Sequence, residues 1–172
     1  MRRLMLLRHA KSDWPAGVAD FERPLAARGR EAAPLMARYM AEEGLIPDLA
    51  LVSPAKRTRE TWGLLAPALG DVRVRSEPRI YNASVGDLLS LVTAIDEGVG
   101  TALFVGHNPG MAELTLLLSG AGDRRALTAV QRKYPTAALS VIGLEDSWAE
   151  VAPFKGRLER FVTPKSLGGE DD

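Results

Sequence analysis

The chain has no cysteine among its 172 residues and only two histidines. The lack of cysteine excludes disulfides, thiol nucleophiles and cysteine-ligated metal sites, and it fits a reducing compartment. The chain also lacks an excess of either charge, with 22 Lys plus Arg against 22 Asp plus Glu, so no overall basic field points to nucleic acid or an anionic membrane surface. No apolar run is long enough to span a bilayer. We therefore expect a cytoplasmic protein without nucleic-acid or membrane partners.

The length and composition fit one domain. With 46% hydrophobic residues, a chain of 172 residues can bury one sizeable core. No internal repeat, low-complexity tract or interdomain linker divides it. We expect a single domain over residues 1–165 and a flexible acidic tail over residues 166–172, which includes the segment GGEDD.

Strand-like and helix-like segments alternate along the chain. Apolar runs without polar alternation are typical of parallel strands that helices cover on both faces. We place strands near residues 2–8, 48–52, 72–76, 101–106, 136–143 and 149–154. A helix is expected to end near Glu43, with Gly44 after it as a C-cap, and residues 119–135 are interpreted as a surface excursion. The order predicts an α/β fold: a three-layer α/β/α sandwich with a mainly parallel central sheet.

Proline and small polar residues mark three further helix starts. Ser53-Pro54 and Asn108-Pro109 each pair a capping residue with proline at the first helical position. Ser84 and Asp87 have the spacing of a capping box ahead of an apolar helical stretch. The first two starts come directly after predicted strands, so both helix N-termini are expected at one edge of the sheet.

Each histidine comes at the carboxyl end of a predicted strand, with LMLLRH ending at His9 and TALFVGH ending at His107. Ligands of open α/β sheets bind beyond these strand ends, so we expect both imidazoles to face one crevice. Arg8 and Arg57 fall at the same edge, and guanidinium groups and helix N-termini both bind phosphate oxygens. The pattern indicates a phosphoryl ligand, with neutral His9 as candidate nucleophile and His107 as a contact for the phosphoryl oxygens.

Simpler interpretations of these residues stay open. A histidine after an apolar strand is often only a buried polar group with a hydrogen-bond partner, and Arg57 stands in the basic run 56–59, which also fits a solvated helix face. Two histidines without clustered carboxylates, near several cationic groups, argue against a metal site. No phosphate-binding loop or dinucleotide motif occurs, so no cofactor is expected. A non-catalytic module that binds phosphate or a phosphoprotein is the alternative to an enzyme.

Three separated motifs resemble those of the histidine phosphatase superfamily, whose fold is called phosphoglycerate mutase-like. They are LLRHAKSDW around His9, SPAKRTRET around Arg57 and VGHNPG at His107. The alanine after Arg-His, the RPL segment at 23–25 and the short chain are most similar to the SixA-type phosphohistidine phosphatases. The resemblance implies catalytic roles for Arg8, His9, Arg57 and His107, a phosphohistidine intermediate on His9, and no metal.

The expected site also has a substrate-binding set and one departure from the family. We expect the substrate to be bound by Arg8, Arg57, Ser12, Arg23 and Asn108. Where phosphoglycerate mutase-like members carry a glutamate that protonates the leaving oxygen, this chain has Asn82, so the general acid is Glu77, Asp87 or absent. A site without an acid suits phosphohistidine, whose ring leaves as neutral imidazole when its second nitrogen carries a proton. We expect dephosphorylation of protein phosphohistidine, with small sugar or nucleotide phosphates as the alternative substrates.

Overall fold

The computed structural model describes residues 1–172 and has seven strands, five α-helices and four short 3₁₀ helices. The strands are β1 (Arg2–Arg8), β2 (Leu49–Val52), β3 (Arg73–Ser76), β4 (Thr101–Gly106), β5 (Ser119–Gly122), β6 (Leu139–Leu144) and β7 (Gly156–Val162). The α-helices are α1 (Ala27–Glu42), α2 (Lys56–Leu69), α3 (Val85–Thr93), α4 (Gly110–Leu118) and α5 (Arg124–Arg132).

All strands belong to one sheet with the order β3-β2-β4-β1-β6-β7-β5. The strands β3, β2, β4 and β1 pair in parallel, whereas β6 pairs antiparallel with both β1 and β7. No α-helix crosses over between β6 and β7, and strands joined without such a crossover run antiparallel. The α/β class is therefore confirmed, while the sheet is mixed rather than mainly parallel.

Two helical layers cover the sheet because successive side chains of a strand point to opposite faces. On one face, Met5 and Leu7 belong to the core that α1 and α2 complete. On the other face, Leu4, Leu6 and Phe104 belong to the core that α3, α4 and α5 complete. This arrangement is the predicted three-layer sandwich.

Two predictions about the second half of the chain were wrong. Residues 149–154 do not form a strand: Trp148–Glu150 is a 3₁₀ helix anchored by the buried Trp148 indole, and Phe154 has a φ of 64°, which a strand does not allow. The last strand is β7 instead. Residues 119–135 form β5 and α5 rather than a surface excursion. The sequence SGAG of β5 has low strand propensity, but Gly120 lets the chain pass against the Phe154 carbonyl, where a Cβ would come within 2.0 Å.

The helix starts were predicted with mixed success. The capping box of α3 is present, since Ser84 Oγ accepts from the Asp87 N–H and Asp87 Oδ2 accepts from the Ser84 N–H. Gly44 follows α1 with a φ of 68°, as expected for its place after the helix. The prolines after Ser53 and Asn108 do not start helices, because α2 begins at Lys56 and α4 begins at Gly110.

The acidic segment near residue 172 contacts the body of the molecule. Glu170 lies 3.4 Å from Arg28, and Asp172 lies 3.6 Å from Lys11. The domain boundary at residue 165 and the mobility of residues 166–172 stay predictions. None of the helices combines the length and the apolar character needed to cross a membrane.

Candidate functional site

Three neighbouring strands end together at one edge of the sheet. Arg8 is paired with Gly106 across β1 and β4, and Val52 is paired with Val105 across β2 and β4. The next residues, His9, Ser53 and His107, therefore leave the sheet side by side. The ring centroids of His9 and His107 lie 5.4 Å apart. The structure thus brings both imidazoles to one crevice.

A cavity of 280 Å³ at this edge brings together the residues that the sequence singled out. It is lined by Arg8, His9, Ser12, Arg23, Arg57, His107 and Asn108, and also by Lys11, Trp14, Thr136 and Asp172. Four cationic side chains line it against a single carboxylate, so the cavity is suited to an anion. The sequence analysis assigned no role to Lys11, Thr136 or Asp172, of which only Lys11 lies in a motif. No three His, Asp or Glu side chains form a group that could hold a metal ion.

The His9 ring is held in one tautomer. Its Nδ1 lies 2.7 Å from the Ala10 carbonyl oxygen. A carbonyl only accepts hydrogen bonds, so Nδ1 carries the proton and Nε2 keeps its lone pair. Burial lowers the pKa of His9 to about 3, with further lowering by His107 and the nearby arginines. His9 is therefore neutral near pH 7, the state that a nucleophile needs.

Two helices clamp the loop that carries His9. From α2, Thr61 Oγ1 accepts from the Ala10 N–H at 3.0 Å and donates to the Arg57 carbonyl at 2.7 Å. From α1, Gly29 approaches the loop so closely that a Cβ would lie 2.2 Å from the Lys11 carbonyl oxygen. Thr61 is the last residue of the SPAKRTRET motif, but the motif alone assigns it no role. The structure supplies one, since Thr61 couples the loop of the first histidine to the helix of Arg57.

The His107 ring is oriented by a serine. Its Nε2 lies 2.7 Å from Oγ of Ser53, which is fully buried. The Nδ1 atom of His107 is buried without a hydrogen-bond partner. Burial lowers the pKa of His107 to about 4, and Arg57 lowers it further. The His107 ring is therefore neutral near pH 7.

The arginines are held by backbone carbonyls and by one carboxylate. Arg8 donates to the Tyr134 carbonyl at 3.0 Å. Arg57 donates to the Asp20 carbonyl at 2.8 Å and to Asp20 Oδ2 at 3.1 Å. Arg23 donates to Asp20 Oδ1 at 3.1 Å and to Ser12 Oγ at 2.6 Å. Ser12 thus contributes to the site partly through Arg23.

Asp20 is the central carboxylate that sequence reasoning missed. It lies in the polar loop between β1 and α1, where no motif singled it out, and its Oδ2 also accepts from the Tyr81 hydroxyl at 2.6 Å. Hydrogen bonds from Tyr81, Arg23 and Arg57 lower the pKa of Asp20 to about 2 despite the opposing effect of burial. Asp20 is therefore ionised across the physiological range.

A second cavity of 620 Å³ shares Arg57, His107 and Asn108 with the first. Asn82 lines it, and Asp20 is the one carboxylate in its wall. Asn82 has a φ of 57°, a left-handed conformation that asparagine adopts more readily than glutamate. The backbone at this position therefore favours asparagine over the glutamate of the family pattern.

The two carboxylates that were considered as general acids are engaged elsewhere. Glu77 accepts three hydrogen bonds from the backbone and side chain of Arg79, and these bonds lower the pKa of Glu77. Asp87 closes the capping box of α3. Neither lines the two cavities at the histidines.

Comparisons with known proteins point to one family. The family described as the histidine phosphatase superfamily (branch 1) matches residues 4–101. Protein Rv1276c of Mycobacterium tuberculosis is 34% identical over 161 residues, which cover 92% of this chain and all of the relative.

Two solved structures have the same fold. A crystal structure from Agrobacterium tumefaciens, provisionally assigned as the phosphohistidine phosphatase SixA, is 33% identical with a TM-score of 0.82, covering 95% of this chain and 98% of its own. A second structure, described as the protein histidine phosphatase SixA complexed with tungstate, is 22% identical with a TM-score of 0.78, covering 96% of this chain and 99% of its own.

Proposed function

This chain is a phosphatase of the histidine phosphatase superfamily, and we propose that its substrate is phosphohistidine on a protein, with His9 as the nucleophile. The observation that carries the proposal is the neutral His9 ring, which keeps its Nε2 lone pair in a cavity lined by four cations. The adjoining second cavity has one carboxylate in its wall, and this carboxylate is ionised. The similarity to the Agrobacterium structure supports the choice of phosphohistidine.

In the first step, His9 Nε2 attacks phosphorus and the phosphorus–nitrogen bond of the substrate breaks. Arg8, Arg23 and Arg57 bind the phosphoryl oxygens, because charge-assisted bonds from planar guanidinium groups match these oxygens. His107 lines the same cavity, and a phosphate dianion bound there raises the pKa of its ring, so that His107 donates to an equatorial oxygen.

In the second step, water attacks phospho-His9, and the bond between Nε2 and phosphorus breaks. The neutral His9 ring is regenerated with its proton on Nδ1, and the two protons of water leave with the phosphate as H₂PO₄⁻. No metal takes part in either step of the proposal. Asn108, which lines the cavity, and Ser12, through Arg23, complete the binding set.

The leaving group decides between substrates. An alkoxide needs a proton as it departs, and a positioned general acid typically contributes about 10²–10⁴-fold to the rate. Asn82 offers no acidic proton and Asp20 is ionised, so alkyl phosphates are disfavoured. Phosphohistidine brings its own proton on the second ring nitrogen. A cytoplasmic location without nucleic-acid partners belongs to the same proposal, supported by the absence of cysteine and the balanced charge.

The alternative substrate is a small phosphate ester, which the 280 Å³ cavity is large enough to admit. A comparison of kcat/KM for a phosphohistidine protein, an aryl phosphate and glycerol phosphate, each with and without EDTA, separates the two. We expect phosphohistidine and the aryl phosphate to be turned over far faster than glycerol phosphate, with no effect of EDTA. Equal rates on glycerol phosphate and the aryl phosphate would contradict the assignment, as would loss of activity in EDTA.

Tungstate binding tests the residue roles. His9→Ala should abolish turnover and keep tungstate binding, because the arginines supply most of the anion site. Arg57→Ala should weaken tungstate binding, whereas Arg59→Ala is the matched control, since Arg59 lies on the same helix and is exposed. Unchanged tungstate binding in Arg57→Ala would remove Arg57 from the site. Retention of binding without turnover in the unaltered protein would favour the non-catalytic binding module.

A further inference from the structure

The second cavity is the natural space for the leaving group. It adjoins the anion cavity and shares Arg57, His107 and Asn108 with it, so a phosphoryl group held between the arginines lies next to this space. Three ionisable groups lie in its wall, namely Arg57, His107 and Asp20. Because Arg57 and His107 are engaged with the phosphoryl oxygens, Asp20 is the ionised group left for the leaving group.

The Asp20 carboxylate has room for one more hydrogen bond. A carboxylate accepts about four hydrogen bonds, two at each oxygen. Oδ2 accepts from Arg57 and Tyr81, whereas Oδ1 accepts only from Arg23. The Asp20 side chain is 45% exposed, so solvent or a substrate can reach it. Arg23, Arg57 and Tyr81 together hold the carboxylate in place.

We propose that Asp20 determines specificity by accepting a hydrogen bond from the N–H of the leaving imidazole, at the ring nitrogen that does not carry phosphorus. This inference rests on the proposed function and names the group that distinguishes phosphohistidine from other phosphate substrates. A carboxylate close to a ring nitrogen favours its protonated form. Asp20 therefore raises the fraction of bound phosphohistidine whose ring is protonated, and it holds that ring in one orientation.

The protonated ring is the reactive one. When the phosphorus–nitrogen bond breaks, its electron pair returns to the ring nitrogen, and the proton on the other nitrogen stays where it is. The product is neutral imidazole rather than imidazolate, and Asp20 neither gains nor loses a proton. A sugar or glycerol ester offers no such proton, so Asp20 gives these substrates no assistance and repels a developing alkoxide.

The test uses the ratio of kcat/KM for a phosphohistidine peptide to kcat/KM for an aryl phosphate. Asp20→Asn releases Arg23 and Arg57, and this loss affects both substrates alike, so it cancels in the ratio. We expect Asp20→Asn to lower the ratio at least tenfold and to move the alkaline limb of kcat for the phosphohistidine peptide to lower pH. The aryl phosphate should show no such movement. Tyr81→Phe is the matched control, because it removes one donor to Asp20 and keeps the carboxylate, and it should keep the ratio.

An unchanged ratio and an unmoved alkaline limb in Asp20→Asn would overturn the inference and reduce Asp20 to a positioning residue for the arginines. Tungstate binding by Asp20→Asn verifies that this variant is folded. If it does not fold, Asp20→Glu is measured instead, and because it keeps the charge it should keep part of the ratio of the unaltered protein. Failure of the proposed function looks different, because the unaltered protein would then turn over glycerol phosphate as fast as the phosphohistidine peptide.

Discussion

Replacing Thr61 with valine tests the clamp between the two motifs that carry His9 and Arg57. Thr61 and Ala10 are both fully buried, with 0% exposure. The Thr61 hydroxyl accepts from the Ala10 N–H and donates to the Arg57 carbonyl. Valine has nearly the same shape and makes neither bond, so the variant leaves the Ala10 N–H buried without a partner.

The magnitude follows from that orphaned donor. A buried polar group that loses its partner costs about 1–3 kcal/mol of unfolding free energy. For a chain of this size, each kcal/mol shifts Tm by about 2–4 °C, so we expect Tm to fall by about 2–12 °C. The rate should fall as well, because the His9 loop loses its link to α2. Thr61→Ser keeps the hydroxyl and should lose less stability.

Urea unfolding and thermal melting measure the change in stability. The effect on the site is measured as kcat/KM for an aryl phosphate, at a temperature where every variant is folded. Thr93→Val is the control, because the Thr93 hydroxyl donates to the Ser90 carbonyl in an exposed setting. The reasoning would be refuted by a Thr61→Val variant as stable and as active as the unaltered protein.

Three further predictions concern charge. Burial lowers the pKa of His9 to about 3 and that of His107 to about 4 from 6.5, so their contribution to stability is complete above pH 6.5 and is lost as the pH falls through the folded-state values. His9→Gln should flatten the loss of urea stability below pH 6.5, and an unchanged slope would count against this. Asp172→Asn should strengthen inhibition by inorganic phosphate up to about fivefold, because it removes an anion from the cavity and partly exposed ion pairs are worth about 0.2–1 kcal/mol. Asp171→Asn is the control, and equal inhibition of the two variants would contradict this prediction. Asn82→Glu should raise kcat/KM for alkyl phosphates more than for aryl phosphates, because it restores a general acid. It should cost about 1–2 kcal/mol of unfolding free energy, because residue 82 has a left-handed backbone. Equal gains on both substrates would argue against a restored acid.

The sequence predicted the fold class and the strands β1, β2 and β4 well, because buried parallel strands have uninterrupted apolar runs. The strand β3 was also predicted, although its residues RVRS are exposed. It failed at β5 and β7, where the pairing depends on long-range contacts. The strand β5 consists of Ser, Gly and Ala, and it pairs with β7 because Gly120 allows a close approach of the backbone. The small-residue segment carries no local signal for this pairing.

The candidate site divides in the same way. His9, Arg57 and His107 stand in motifs at strand ends, so their convergence could be predicted from the sequence. Asp20 lies in a loop of 18 residues between β1 and α1, and its role depends on where that loop folds back over α2. A carboxylate in a long polar loop has no distinguishing pattern, so only its contacts with Arg23 and Arg57 single it out.

Rapid quenching of the protein in alkaline detergent, during turnover of a radiolabelled aryl phosphate, tests the central claim most directly. If His9 is the nucleophile, the quenched protein carries label that is stable in alkali and labile in acid, as expected for a phosphoramidate, and His9→Ala carries none. Absence of labelled protein during turnover, or label that persists in His9→Ala, would contradict the account.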